Sequence, residues 1–248
     1  MISAEKKERV LQLKIDVPPI NVIDTKTCLE LARHLNEAAL DTTLAGVVIS
    51  GEGKCFSAGA SVEEHSQEHV REMITAFTDA CRALYRMPVP TVALIHGFCF
   101  GGGFELTMYC DYLVADPSAK FGVPEIKLAF FPPFACSVLA GIVGRQNAQY
   151  LIYTGESIPV EQAAQMGLVQ KISPQDEWDQ VLNRLNGSSA PVLRLAKRAF
   201  KSGENISIEE AFDSLVNDLF LKDLYQIEDL KEGIASFKEK RKPDWKHE

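Results

Sequence analysis

Two glutamates stand next to unusual glycine or proline segments and are candidates for proton-transfer chemistry. Glu105 follows three consecutive glycines, residues 101–103, with one residue between. Glu125 lies in the segment FGVPEIKL, just after a proline, where an extended or loop backbone is favoured. Each carboxylate alone is more often structural, because the helix dipole already favours an acidic residue in a first turn. Together, beside a site that stabilises negative charge, they would suit proton transfer or the holding of a water.

Such a site is indicated by two glycine turns of the same design. GVVIS runs into GEGKCFSAGAS, and TVALIH runs into GFCFGGGFEL. Each turn presents main-chain N–H groups near a helix N-terminus, where negative charge is favoured. One turn alone usually reflects close packing, but two predict a pair of donors for a developing enolate or tetrahedral oxyanion. Neither turn has the GxGxxG or GxxxxGK[ST] spacing of nucleotide-binding motifs.

The elements that position these turns follow an alternating pattern. Strands are predicted at 9–16, 44–50, 89–96 and 112–116, and helices at 25–41 and 61–87. A further helix is predicted with Pro159 in its first turn and Gly167 at its end. This order predicts an α/β fold with parallel strand pairing.

The chain changes character near Ser188, after which three helices are predicted, at 191–203, 207–222 and 225–242. The middle helix has a wide apolar face formed by Ile208, Ala211, Phe212, Leu215, Val216 and Leu219. We therefore divide the chain into an α/β core, 1–187, and a C-terminal helical oligomerisation subdomain, 188–248.

The composition limits the classes of binding partner and the compartment that can be expected. The net charge of −8 argues against a nucleic-acid or anionic-membrane surface. No apolar run is long enough to cross a bilayer, and the N-terminus does not resemble a signal peptide. The six cysteines have no CxxC spacing, so buried free thiols in a reducing, cytoplasmic compartment are expected.

The chain resembles the enoyl-CoA hydratase/isomerase (crotonase) family almost from end to end. The resemblance is carried by FSAGAS, HGFCFGGGFELTMYCDYLVAD, AKFGVPEIKL, GESIPVEQAAQMGLV and the terminal EGIASFKEKRK. It implies a crotonase-like ββα spiral core, an acyl-CoA substrate, and a homotrimer or homohexamer. Coenzyme A would enter as part of the substrate, with no separate cofactor and no metal.

The resemblance also implies roles for particular residues. The N–H groups of Ala60 and Gly102 would bind the thioester oxygen, with Glu105 and Glu125 as the acid/base pair. Isomerases of the family commonly keep one carboxylate, so the pair indicates a hydratase. The implied substrate-binding set is Ala58, Ala60, Ser61, Val62, Gly101, Phe130, Phe131 and Phe134, with Phe237 and Lys240 reaching the CoA nucleotide, often in a neighbouring subunit.

Two segments depart from the common family pattern. AFFPPFACSVL, from Ala129, stands where most hydratases have a Pro-Gly-x-Gly-Gly-like stretch, so bulky residues replace flexible glycines. This is either a repacked helix start or a wall shaped for a flat ring; within the family it most resembles hydratases of cyclohexa-1,5-diene-1-carbonyl-CoA. VPPIN, from Val17, lacks the basic residue that many members have there, which removes one expected CoA phosphate contact.

Other interpretations remain open. HSQEH, from His65 to His69, matches the HxxEH pattern of inverted zinc proteases, which requires both histidines on one helical face. No obvious third ligand follows it. Within the family, a hydratase or isomerase of linear acyl-CoA, a ring-opening hydrolase and a non-catalytic binding protein are the alternatives.

Overall fold

A six-stranded sheet forms the centre of the computed structural model, which describes residues 1–204 and 206–247. The strands are β1 (Ile2–Lys7), β2 (Val10–Ile15), β3 (Val22–Ile23), β4 (Gly46–Gly51), β5 (Gly59–Ala60), β6 (Thr91–Ile95), β7 (Phe98–Phe100), β8 (Tyr112–Ala115), β9 (Lys120–Gly122), β10 (Ser157–Pro159) and β11 (Lys171–Ile172). The central sheet has the order β1-β2-β4-β6-β8-β11, with β1 antiparallel to β2 and the others parallel. A three-stranded sheet, β10-β9-β7, and a two-stranded sheet, β3-β5, lie outside it.

Helices cover this sheet and continue beyond it. They are α1 (Thr25–Leu40), α2 (Val70–Arg86), α3 (Gly102–Thr107), α4 (Pro133–Val143), α5 (Arg145–Thr154), α6 (Val160–Gln165), α7 (Asp179–Asn186), α8 (Ala190–Gly203), α9 (Ile208–Ala211) and α10 (Asp229–Glu239). Every residue of β6 is buried, as expected of a parallel strand covered on both faces. Among the described residues, no helix is long and apolar enough to cross a membrane.

The predicted α/β layout with parallel pairing is confirmed, with one correction at α2. The helix predicted over 61–87 begins only at Val70, and Glu63–His65 forms a separate 3₁₀ turn. The reason is local, because the Ser61 N–H donates to Ile23 O (3.0 Å) as part of the β3–β5 pairing. That pairing keeps the chain extended where a helix was predicted to start. Pro159 likewise ends β10 and precedes α6 instead of lying in its first turn.

The C-terminal region is helical, as predicted. Ser207 begins the middle helix with a capping box, in which its side chain and that of Glu210 each bond the other's main-chain N–H. After α9 the helix continues with wider, π-type hydrogen bonding over Phe212–Asp223. Of its predicted apolar face only Leu219 is buried, and Phe212 is 56% exposed. This chain therefore leaves most of that face uncovered.

The prediction of buried free thiols is correct for four cysteines and wrong about the burial of the other two. All six thiols are free, and Cys28, Cys55, Cys81 and Cys99 are buried. Cys110 is half-buried and Cys136 is exposed. Cys136 lies on α4, whose other side buries Ala135 and Leu139 in the core, so this thiol is turned outward.

Candidate active site

The glycine run exists because two other segments approach its backbone closely. Gly101 has a φ of +49°, and a Cβ at this position would lie 2.7 Å from Oε1 of Glu125. A Cβ at Gly102 would lie 3.0 Å from the Cβ and 3.3 Å from the N of Ala60. Any side chain at either position would displace the second glutamate or the first glycine turn.

The two predicted donors lie together at this point. Because the Ser61 N–H bonds to β3 and successive N–H groups of a strand point to opposite sides, the Ala60 N–H is directed away from β3. Gly102 is the first residue of α3, so its N–H has no acceptor within the helix. Both residues line one cavity, and their N–H groups are available to an oxygen bound there.

This cavity has a volume of about 260 Å³ and contains both predicted carboxyl groups. Its walls come from the β5 segment, α2, the glycine run and the stretch from Pro124 to Phe134. The lining is mainly apolar, which lowers the local dielectric and strengthens interactions between charges and dipoles.

Glu105 is a buried carboxyl held by main-chain donors. Its Oε1 accepts hydrogen bonds from the N–H of Phe134 (3.0 Å) and of Ala135 (2.9 Å), both in the first turn of α4. Burial raises the pKa of Glu105 to about 8; the two N–H donors oppose this shift and the charge of Glu125 adds to it. The group therefore carries its proton over much of the neutral range.

Glu125 projects from a 3₁₀ turn, Pro124–Leu128, and not from an irregular loop as the sequence suggested. Its Oε2 is buried and has no hydrogen-bond partner among the described residues. Burial raises the pKa of this carboxyl as well. The site thus combines two carboxyl groups that resist ionisation and repel each other when both are charged.

The predicted aromatic wall lines the same cavity. Phe134 packs against Phe77 of α2, with 4.8 Å between ring centroids. Phe130 packs against His65 at 4.9 Å. Phe131 is 67% exposed and lies on the open side of the cavity. Phe77 and His65 were not predicted as site residues. Phe77 is one of several buried apolar residues of α2, a pattern that indicates a core position.

The remaining predicted binding residues divide into three groups. Ala58, Val62 and Gly101 line the cavity. Ser61 instead bonds locally, its N–H to Ile23 O and its Oγ to the N–H of Glu64. The predicted nucleotide contacts lie on α10, where Phe237 is 85% exposed and Lys240 ends the helix, and neither lines this chain's cavity. Their role across a subunit contact stays a prediction.

The HxxEH pattern does not form the helical face that the zinc interpretation needs. His65 lies in the 3₁₀ turn, with its Nδ1 2.7 Å from Ser61 O. His69 precedes α2, with its Nδ1 3.0 Å from Ser66 Oγ. Within 1–204 and 206–247, no group of three His, Cys, Asp or Glu side chains is placed to hold a metal ion.

Two main-chain N–H groups and two carboxyl groups that line one cavity of a parallel-sheet fold can together stabilise negative charge on a carbonyl oxygen and transfer a proton. The chain belongs to the enoyl-CoA hydratase/isomerase family, which it matches over residues 5–248. It is accordingly a hydro-lyase of the enoyl-CoA hydratase type.

Individual relatives resemble this chain along nearly their whole length. The cyclohexa-1,5-dienecarbonyl-CoA hydratase of Thauera aromatica is 32% identical, over 98% of this chain and 95% of the relative. The 2,3-dehydroadipyl-CoA hydratase of Escherichia coli K12 is also 32% identical, over 97% and 96%. Among solved structures, an enoyl-CoA hydratase from Bacillus anthracis superposes with a TM-score of 0.92 at 27% identity, covering 100% of this chain and 99% of that one. The predicted crotonase-like fold is thereby confirmed.

Proposed function

We propose that this enzyme adds water to a conjugated, cyclic acyl-CoA thioester. The best candidate is cyclohexa-1,5-diene-1-carbonyl-CoA, converted to 6-hydroxycyclohex-1-ene-1-carbonyl-CoA in the anaerobic degradation of aromatic compounds. The observation that carries the reaction class is the pair Glu105 and Glu125 in one cavity with the N–H groups of Ala60 and Gly102. Coenzyme A enters as part of the substrate, and the chemistry requires no further cofactor.

The reaction begins with polarisation of the thioester. Hydrogen bonds from Ala60 and Gly102 to the carbonyl oxygen make the β-carbon electrophilic. A water held between the two carboxyl groups forms a C–O bond at that carbon while an ionised carboxylate takes its proton. The negative charge moves to the carbonyl oxygen as an enolate, which the two N–H donors stabilise.

The second carboxyl group completes the addition. Because two neighbouring carboxyls resist double ionisation, one of the pair starts neutral and returns a proton to carbon. With a cyclic dienoyl thioester the enolate extends through the second double bond. Protonation at the far end of the diene then gives net 1,4-addition of water, with the thioester intact.

The choice of a ring is supported by the cavity wall and by one relative. Phe130, Phe131, Pro133 and Phe134 give the cavity a bulky, rigid surface where glycines are common in the family. The Thauera aromatica relative is named for a cyclic dienoyl substrate. The alternative is a linear enoyl-CoA, favoured by the equal identity to the Escherichia coli relative, whose named substrate is open-chain.

We further propose a homotrimer or a dimer of trimers. The support is the row of exposed apolar side chains on the C-terminal helices, which include Phe200 (74% exposed) and Ile208 (75%). Apolar surface on this scale marks a contact with another protein surface. A neighbouring subunit would also bring Phe237 and Lys240 to the CoA nucleotide.

The substrate assignment is tested by comparing two thioesters under the same conditions. Hydration of cyclohexa-1,5-diene-1-carbonyl-CoA and of crotonyl-CoA is followed by ultraviolet absorbance, and the products are identified by mass spectrometry. We expect the cyclic substrate to have the higher kcat/KM and to yield a hydroxyacyl-CoA. A preference for crotonyl-CoA would reject the ring and leave hydration standing, whereas release of free CoA would indicate a hydrolase.

A further inference from the structure

In the first turn of α4, every main-chain N–H group that has no acceptor within the helix donates to the carboxyl group of Glu105. Pro133 begins the helix and has no N–H to offer. The N–H groups of Phe134 and Ala135 both donate to Oε1 of Glu105, and the next N–H along the helix already bonds to a carbonyl of the same turn. A side chain from a distant segment therefore satisfies this helix start completely.

This arrangement fixes which oxygen of the carboxyl group can react. Two donors occupy Oε1 of Glu105, and Oε2 bonds to no other described residue. A water or substrate in the cavity therefore meets Glu105 at Oε2. Pro133 also lines the cavity, so this wall offers no third main-chain donor to a bound water.

Phe134 joins this turn to the acyl-binding wall. Its N–H donates to Oε1 of Glu105. Its ring lines the cavity, with its centroid 4.8 Å from the ring centroid of Phe77. Consecutive prolines at 132–133 fix the backbone just before it. An acyl group that presses on the ring of Phe134 consequently acts on the same rigid turn that holds the carboxyl.

We propose that the first turn of α4 positions Glu105, with Phe134 and Ala135 as positioning residues that couple the shape of the acyl group to the orientation of the carboxyl. The inference deepens the proposed hydration and rests on it for the role of Glu105. Neither residue transfers a proton itself.

Other titratable groups interact electrostatically with Glu105 and must be separated from it in any pH measurement. These are Glu125, Cys81 on α2, Tyr109 after α3 and Cys136 on α4. Burial raises the pKa values of the two thiols and the phenol, so these groups stay neutral near pH 8. The charge of Glu125 raises the pKa of Glu105, so direct titrations belong in a Glu125→Gln background.

The kinetic test removes one N–H donor to Glu105 with a substitution that adds little side-chain volume. Ala135→Pro deletes the N–H on Oε1, which has no acceptor within the helix, so no hydrogen bond of the helix itself is lost. We expect kcat for the preferred thioester to fall at least tenfold, with KM changed less than about threefold. The Glu105 limb of the pH–rate profile should move up by about one pH unit, because a hydrogen-bond donor to the ionised carboxylate is lost. An unmoved limb, or a loss confined to KM, would overturn the proposal.

Two variants isolate the effect. Gln146→Pro places a proline in the first turn of α5, on an exposed residue outside the cavity, and should leave both the rate and the limb unchanged. Phe134→Leu keeps the N–H and removes the ring. Phe134→Leu should lower the preference for the cyclic over the linear thioester, measured as the ratio of their kcat/KM values, about tenfold. It should not move the Glu105 limb of the pH–rate profile. A preference unchanged in Phe134→Leu would overturn the coupling.

A direct measurement covers the case in which Ala135→Pro does not fold. In Glu125→Gln protein, the main-chain amide resonances of Phe134 and Ala135 should titrate together at a pH below 8, because the charge of Glu125 no longer raises the pKa of Glu105. The same resonances should be flat when Glu105→Gln is added. Flat resonances with Glu105 present would overturn the positioning role. Full hydratase activity in Glu105→Gln would instead reject the proposed function, while the amide titration would still report the contact.

Discussion

At the scale of single residues, the site depends on a carboxyl group that is costly to ionise. Glu105 is 5% exposed, and only two main-chain N–H groups offset the loss of its hydration. Glu125 is half-buried, and its buried Oε2 has no hydrogen-bond partner among the described residues. Such groups stay in a fold at the expense of its stability, which is typical of a site kept for chemistry.

Replacing either glutamate by glutamine should abolish most of the activity. We expect Glu105→Gln and Glu125→Gln each to lower the hydration rate at least about a hundredfold, because proton transfer is lost while shape is kept. The glutamine oxygen at 105 can still accept both N–H bonds of α4, so the fold should persist. Steady-state rates and a circular dichroism spectrum check this, and near-normal turnover in both variants contradicts the assignment.

The same substitution at Glu105 should change how stability depends on pH. The folded pKa is about 8 and the ordinary value is 4.5, so between these values the folded chain holds a proton that the unfolded chain has released. Stability therefore falls as pH rises through this window, by on the order of 4 kcal/mol for one fully shifted group. Glu105→Gln removes this slope.

Urea unfolding at pH 5 and pH 8 measures the effect. The difference in free energy of unfolding between the two pH values should be smaller in Glu105→Gln than in the wild type, which leaves the variant relatively more stable at pH 8. Equal differences in both proteins would show that Glu105 does not titrate in this window.

At the scale of elements, α8 is tied to the core by an ion pair between a buried lysine and a partly exposed aspartate. Lys197 is 8% exposed, and its Nζ donates to Asp111 Oδ2 (2.6 Å) and to Val89 O (2.8 Å). The same Oδ2 accepts the N–H of Thr91 (2.6 Å) at the start of β6. One carboxylate thus joins a central strand to a C-terminal helix.

Removing the lysine should loosen this junction. Lys197→Met removes the hydrogen bonds from this cation to Asp111 and to Val89 O, so we expect a loss of about 2 kcal/mol in the free energy of unfolding. Lys6→Met, which breaks the exposed Lys6–Asp41 pair, is the matched control and should cost less than about 1 kcal/mol. Similar losses in both variants, measured by denaturant unfolding, would contradict the role of Lys197.

Sequence reasoning recovered the elements whose pattern is set by burial. The central parallel strands and α1 were predicted because apolar residues repeat at the right period. Strand β1 was missed because only Ile2 of its six residues is buried, so it lacks an alternating pattern. The amides that hold Glu105 were also missed, since they come from a helix start 29 residues away in sequence, and spacing alone does not reveal such contacts.

At the scale of the whole molecule, the C-terminal helices carry apolar surface that this single chain leaves uncovered. Phe212, Phe220 and Leu221 are each more than half exposed along the segment Phe212–Asp223. The proposed trimer would bury this surface and place α10 of one subunit near the cavity of another.

Charge introduced on this surface should therefore separate the subunits. Phe212→Asp is expected to shift the protein toward monomer in sedimentation velocity and to raise KM for the thioester more than it lowers kcat, since the nucleotide contacts are lost. Leu40→Asp, at a residue 82% exposed at the end of α1, serves as the control and should leave the mass unchanged. A wild-type protein that sediments as a monomer would reject the proposed assembly.

The outward orientation of Cys136 has a practical consequence. This thiol directly follows Ala135 on α4, and the protein's other five cysteines are buried or half-buried. A maleimide dye should thus attach at one place without any engineered residue, best above neutral pH because the pKa of the thiol is raised by burial and by the two glutamates. Emission from that dye would then report binding of the thioester in real time, including for acyl groups that are never turned over.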